Sequence, residues 1–249
     1  MNEIKNVLFI QPSALLGGSS NALVDILLAL PKSRYRPVVV CPGDGPIVKK
    51  VEDLGIKVYV IKYGTIHNNT FQKMSFSLDT FGRLAKFLIL LPSSSYSIFK
   101  ILIDENIDLV YLNSLVAIGC SYLPRLLGIP LIVHLREFPA MNCFSILQHY
   151  IVKRVSTEVI CASKAIKEEI SRIIPDSKVV YDWVDTELFD ISKLNLRKRF
   201  NFSGQSDIVV GMAASLCKEK GILVLFEAAQ IILRQGYDYF FVFIGGVGG

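Results

Sequence analysis

The sequence predicts an α/β fold, with one parallel-sheet domain complete within residues 1–189 and the first part of a second over residues 190–249. Three observations carry this. Short runs rich in Val, Ile and Leu alternate with stretches of helical periodicity, the pattern of βαβ units. Most of these runs lack apolar–polar alternation, as expected of parallel strands covered by helices on both faces. The rhythm then breaks between 182 and 206 and starts again.

A strand at 7–10 (Val7-Leu8-Phe9-Ile10) comes first, and a helix near 18–30 follows. Strands at 38–41 and 58–61 flank a helix near 46–54 that Gly55 closes, glycine being the residue that accepts a left-handed turn after a helix. Residues 79–103 read as two helices split at Pro92, because proline lacks the N–H that an interior helical turn uses. Strands at 109–112 and 131–134 enclose a helix near 115–127, with Gly128-Ile129-Pro130 as its exit. A helix near 142–155, a strand at 159–161, a helix near 163–172 and a short strand at 179–181 complete the first domain. Beyond the polar stretch with Asp182, Asp185, Glu187 and Asp190, a strand at 208–212, a helix at 221–234 and a strand at 239–244 restart the pattern. One βαβ unit cannot bury a core alone, so the second domain reads as cut off after its second strand.

Composition narrows the function classes. Of 249 residues 51% are hydrophobic and 20% charged, with mean hydropathy +0.44, which excludes a disordered chain. The richest stretch, 84–103, is interrupted by Lys86, Pro92, three serines and Lys100. No segment offers the ~18–20 uninterrupted apolar residues of a spanning helix, so a soluble chain is expected. Five cysteines are scattered without a Cys-x-x-Cys pair, and six residues lead straight into the first strand without a signal-peptide core. The expected location is the reducing cytoplasm. A net charge of +5 and a pI near 8.9 suit anionic partners such as nucleotide sugars or phospholipid head groups. The charge is too diffuse for nucleic acid. Three separated histidines and no clustered Cys/His give no metal site.

Three constellations carry chemistry. Gly17 and Gly18 follow the first strand and open the first helix, where free N–H groups favour an anion. They serve either a ligand or a tight turn. His134, Arg136 and Glu137 stand at the carboxyl end of the 131–134 strand, on the rim where open parallel sheets bind ligands. They are either functional or solvated. Lys220 precedes the helix at 221–234 and would add its charge to the helix's positive end, a strong place for a diphosphate, unless it is a plain loop lysine.

Taken in order, these segments resemble the retaining family 4 type of GT-B glycosyltransferase. The resemblance rests on Gly17-Gly18, His134 and Val159-Ile160-Cys161-Ala162-Ser163. It continues through Tyr181-Asp182-Trp183-Val184-Asp185-Thr186-Glu187-Leu188-Phe189 and Lys220-Gly221 before Leu225-Phe226-Glu227-Ala228-Ala229. It implies two Rossmann-like domains, the first taking the acceptor and the second the nucleotide sugar, with no bound metal or other cofactor. Gly17 and Gly18 would lie near the donor phosphates, and His134 would line the sugar site as the catalytic candidate. Ser215 would stand with Lys220 on the donor phosphates, and Lys220 would neutralise the leaving diphosphate. Asn113, Arg136 and Glu137 would face the acceptor. Ser215 stands where the family often has an arginine, Trp183 replaces a glycine, and the family's late pair of glutamates has no counterpart.

The implied function is sugar transfer from a nucleotide diphosphate sugar to a glycan or lipid-linked acceptor in cell-surface polysaccharide synthesis. Without the glutamates the chain is expected to be inactive alone, as a fragment or a truncated product. The alternatives are a nucleotide-sugar 2-epimerase fragment and a non-catalytic module that binds a membrane or a partner. Residues 71–99, with Lys73, Arg83 and Lys86 and with Lys100 just beyond, either form an interfacial helix beside anionic lipid or pack onto the sheet. The first alternative would make the protein peripheral on the inner membrane face. Residues 208–244 are expected to self-associate through the apolar strand at 239–244.

Overall fold

The computed structural model describes residues 3–65, 78–139, 143–187 and 208–246. The chain divides into two compact units, Met1–Trp183 and Val184–Gly249. The boundary expected near 190 falls among residues 188–207, outside the described residues.

In the first unit, β1 (Lys5–Ile10), β2 (Tyr35–Cys41), β3 (Lys57–Val60), β4 (Leu109–Leu112), β5 (Leu131–Leu135), β6 (Glu158–Cys161) and β7 (Lys178–Val179) form one sheet. Every pairing is parallel, in the order β3-β2-β1-β4-β5-β6-β7. The chain moves outward from β1 to β3, then crosses back to place β4 on the other side of β1. That reversal leaves a crevice beyond the carboxyl ends of β1 and β4.

Alternate residues of each strand feed two cores. Val7, Phe9, Val39 and Cys41 pack under α1 (Gly18–Ala29) and α2 (Pro46–Glu52) through Leu23, Leu27, Ile47 and Val51. On the opposite face Leu8, Ile10, Val110, Leu112, Val133 and Leu135 meet α3 (Leu78–Asp104), α4 (Tyr122–Leu126), α5 (Cys143–Val155) and α6 (Lys164–Ile170). Burial on both sides explains why these strands read as continuous apolar runs.

Three expectations need correction. The expected split at Pro92 does not occur, and α3 runs unbroken through the proline. Four nearby serines bond back to helix carbonyls, Ser93 to Leu90, Ser94 and Ser95 to Leu91, and Ser97 to Ser93. Residues read as helix breakers therefore bond within the helix, to carbonyls at 90, 91 and 93 beside the proline. Continuity in turn makes Ala85–Asp104 long and apolar enough to cross a membrane by length and composition, although only 22% of it is buried. The helix near 115–127 is a 3-10 turn, Leu115–Cys120, followed by the short α4.

The second unit pairs β8 (Ile208–Ala213) with β9 (Tyr239–Ile244) in parallel, connected through the 3-10 turn Lys218–Lys220 and α7 (Ile222–Arg234). Ala229 is its one buried apolar residue among those described.

Candidate active site

The crevice at the switch point is built from the ends of β1, β4 and β5, and its floor is polar. Gln11, Asn113, Ser114, Ser20 and His134 are all buried there, directly beyond apolar strands. A buried amide must find partners, and these do. Asn113 donates from Nδ2 to Gln11 Oε1 at 2.7 Å and to the Ser19 carbonyl at 2.8 Å, and its Oδ1 accepts from Arg136 Nε at 3.0 Å. Gln11 donates to Ser20 Oγ at 2.9 Å, which donates to the Leu15 carbonyl at 2.6 Å. Tyr63 donates to the Gln11 carbonyl. Asn113 is therefore the hub that fixes the loop after β1 to the end of β5.

That loop presents Gly17 and Gly18 outward. Gly17 caps α1 in extended conformation without a side-chain hydrogen bond, and the first turn carries no acid. An added Cβ at either glycine meets nothing within 4 Å. Neither backbone nor packing requires these glycines, so a helix N-terminus is left bare for an approaching anion. Gly45 behaves oppositely. Its Cβ would fall 2.4 Å from the Ala14 carbonyl oxygen, so it is needed where α2 presses on the same loop.

His134 sits at the end of β5 with Nδ1 2.5 Å from the Tyr111 hydroxyl and 3.1 Å from Arg136 Nη2. A guanidinium only donates, so Nδ1 accepts and the imidazole proton resides on Nε2. Nε2 is buried without a partner among the described residues. Burial, then the charge of Arg136, push the His134 pKa down to about 4, against a smaller upward pull from Asp182. The ring is neutral at pH 7 and offers an N–H donor to the crevice. Glu137 accepts from Ser114 Oγ at 2.6 Å, and its Oε2 is likewise buried and unpartnered among the described residues. Arg136 is inward-facing, and its Nη1 grips both oxygens of Asp182 at 2.5 Å.

A chain of three hydrogen bonds, Ser19–Asn113–Arg136–His134, thus joins the Gly17–Gly18 turn to the strand-end histidine. Gln11, Tyr111, Ser114 and Asp182 belong to this site and were missed from sequence. The available signal was Gln11 and Asn113, polar side chains at the ends of otherwise apolar central strands. Asp182 stood out only as part of the polar stretch and of the family-like segment 181–189, with nothing to pair it with Arg136.

Ser215 and Lys220 lie in the second unit, both exposed. Lys220 ends the 3-10 turn, and Gly221, at φ +77°, turns the chain into α7, whose first turn is also uncapped and free of acids. The second unit therefore carries its own cation beside a helix N-terminus.

A parallel sheet with its switch-point crevice, followed by a restarted βαβ unit with a phosphate-type turn, defines the GT-B class of glycosyltransferase fold. Residues 16–188 match the family described as Glycosyltransferase Family 4, and the chain belongs to it. Solved structures agree on the fold. HepE from Anabaena, in complex with UDP and glucose, aligns with 97% of this chain and 70% of its own at 22% identity, with a TM-score of 0.66. The UDP-GlcNAc 2-epimerase of Neisseria meningitidis bound to UDP-GlcNAc covers 96% of this chain at 16% identity and a TM-score of 0.56. MurG of Acinetobacter baumannii covers 93% at 19% identity and 0.52. The chain spans 65% of that epimerase and 57% of MurG. No curated protein matches the sequence.

Proposed function

We propose that the chain serves in retaining transfer of a sugar from a nucleotide diphosphate donor to a glycan or lipid-linked acceptor, on the cytoplasmic side of cell-surface polysaccharide synthesis. The observation that carries this reading is that His134 Nε2 and Glu137 Oε2 are buried without a partner among the described residues, in a hydrogen-bonded site that reaches the bare start of α1 in a family 4 chain. His134 donates from Nε2 to a sugar oxygen. Because Nε2 carries the proton and Nδ1 is engaged, it acts as a fixed donor rather than as a base. Glu137 Oε2 accepts from a hydroxyl. In the first unit, Gly17 and Gly18 offer the bare α1 N-terminus to a diphosphate, whose charge grows as the sugar departs, so the helix dipole stabilises the transition state selectively. In the second unit, Lys220 beside the α7 N-terminus supplies a phosphate-binding cation of its own. The family match favours transfer over epimerisation.

Titration of the full chain with UDP, GDP, ADP and TDP tests the reading. Saturable binding of at least one is expected, weakened about tenfold in Lys220→Met, the scale of one charge-assisted hydrogen bond. His134→Ala keeps nucleotide binding and loses the extra affinity for the matching nucleotide sugar. Absence of saturable binding by all four overturns the proposal.

A further inference from the structure

Helix α3 is apolar on two opposite sides. Through Ile98, Ile101 and Leu102 it packs into the sheet's core. At about 100° per residue, positions 85, 89, 92, 96, 99 and 103 point the other way. They hold Ala85, Ile89, Pro92, Tyr96, Phe99 and Ile103, with Ile89 76% and Tyr96 70% exposed. Single exposed apolar residues are ordinary, but a line of them along five turns is not.

Helix α5 repeats the arrangement, with Gln148, His149 and Val152 turned in and Ile146, Leu147, Tyr150 and Ile151 turned out. Helix α4, in contact with both, adds exposed Leu126, with exposed Leu127 just beyond its end. All three helices cover the same face of the sheet.

The charges on these helices are one-sided. Lys86, Lys100, Arg125, Lys153 and Arg154 face one acid, Asp104, over 85–104 and the whole of α4 and α5. The bias ends at α6, where Lys164 and Lys167 meet Glu168 and Glu169.

We propose that the outer face of α3, α4 and α5 docks on an anionic lipid surface. The apolar line seats at the boundary of head groups and acyl chains, and the flanking lysines and arginines reach the phosphates along their apolar stems. Helix α3 lies flat rather than crossing, because crossing would strip Ile98, Ile101 and Leu102 from the sheet. This surface stands independently of sugar transfer.

Vesicle flotation with the full chain tests it, using phosphatidylcholine alone and phosphatidylcholine mixed with phosphatidylglycerol. Binding to the anionic vesicles about tenfold or more above neutral ones, weakened by salt, is expected, since each basic residue near such a surface contributes about 1 kcal/mol. The double variant Ile89→Glu/Phe99→Glu, both positions exposed, should lose binding with its circular dichroism unchanged. Lys86→Glu/Lys100→Glu should reduce it at least tenfold on the same grounds. Leu223→Glu/Val224→Glu, on the exposed side of α7, should bind as the parent does. Equal or absent binding to both vesicles, or binding that survives the α3 variants, overturns the proposal. So does a parent dimer that Ile89→Glu/Phe99→Glu converts to a monomer without any vesicle binding, which would assign the face to a second copy.

Discussion

Nη2 of Arg136 stands 3.1 Å from Nδ1 of His134, while Nη1 of the same guanidinium holds both oxygens of Asp182. One cation therefore fixes the tautomer of the histidine and is itself fixed by a carboxylate 46 residues further along. The two charges act on the imidazole in opposite directions, Arg136 lowering its pKa and Asp182 raising it.

Removing them should move His134 in opposite directions. Arg136→Met should raise its pKa from about 4, and Asp182→Asn should lower it further. With three histidines in the chain, nitrogen-15 imidazole spectra recorded against pH resolve the ring directly. The parent should show a protonated Nε2 at neutral pH. Shifts of the same sign in both variants would separate the pair from the histidine.

Stability should depend on this ring. Its folded pKa, about 4, lies below the ordinary 6.5, so the folded state gives full stability above about pH 6.5 and loses it as pH falls towards 4. At about 1.4 kcal/mol per unit, the loss by pH 5 is on the order of 2 kcal/mol. His149, also held low by burial, adds loss in the same window. The difference between parent and His134→Gln in urea unfolding isolates the first ring, and the variant should lose less between pH 7 and 5.

Two glycines at one loop should respond differently. Gly45→Ala forces a methyl against the Ala14 carbonyl and should cost about 1–3 kcal/mol. Gly17→Ala meets open space, so its melting temperature should stay near the parent's while nucleotide diphosphate binding falls. Equal destabilisation by both would show that the α1 start is a packing feature.

At the opposite end of the sheet, Glu105 is buried and accepts from Arg36, from Lys57 Nζ at 2.5 Å and from the Tyr59 hydroxyl at 2.5 Å. Its hydrogen bonds to Lys57 and Tyr59, in that order, lower its pKa. Glu105→Ala should cost about 1–3 kcal/mol, with no effect on nucleotide binding. Both cations are half exposed and return to water, which keeps the loss moderate.

Residues 208–244 expose much of one apolar helix, including Leu223, Val224, Phe226, Ile231 and Leu233, beside a two-stranded sheet. We propose that the chain self-associates through this region. Light scattering should report concentration-dependent oligomers, and removal of residues beyond about 190 should give a monomer. A monodisperse full chain resistant to proteolysis at its second unit would refute this.

The strands were legible because burial on both faces leaves β-branched runs, and 109–112 and 239–244 came out with their observed bounds. The start of β2 at Tyr35 was not, because Arg36 and Pro37 look unlike a central strand. Pro92 misled for a comparable reason: the serines after it, which look like breakers, bond back to helix carbonyls at 90, 91 and 93 and so belong to the helix. At the site, Gly17, Gly18 and His134 stood out by residue type and place. The Arg136–Asp182 grip was invisible because nothing local ties positions 46 residues apart.

The placement of β4 beside β1 also sets the order in which the protein can take shape on the ribosome. Val7 pairs with Leu109, and Asn6 bonds Asp108 across 102 positions. At about 5–20 residues per second, β1 waits roughly 5–20 s after its own synthesis with one edge open. During that interval the nascent chain holds Val7, Leu8, Phe9 and Ile10 against β2 alone, and it is then that a chaperone has most to protect.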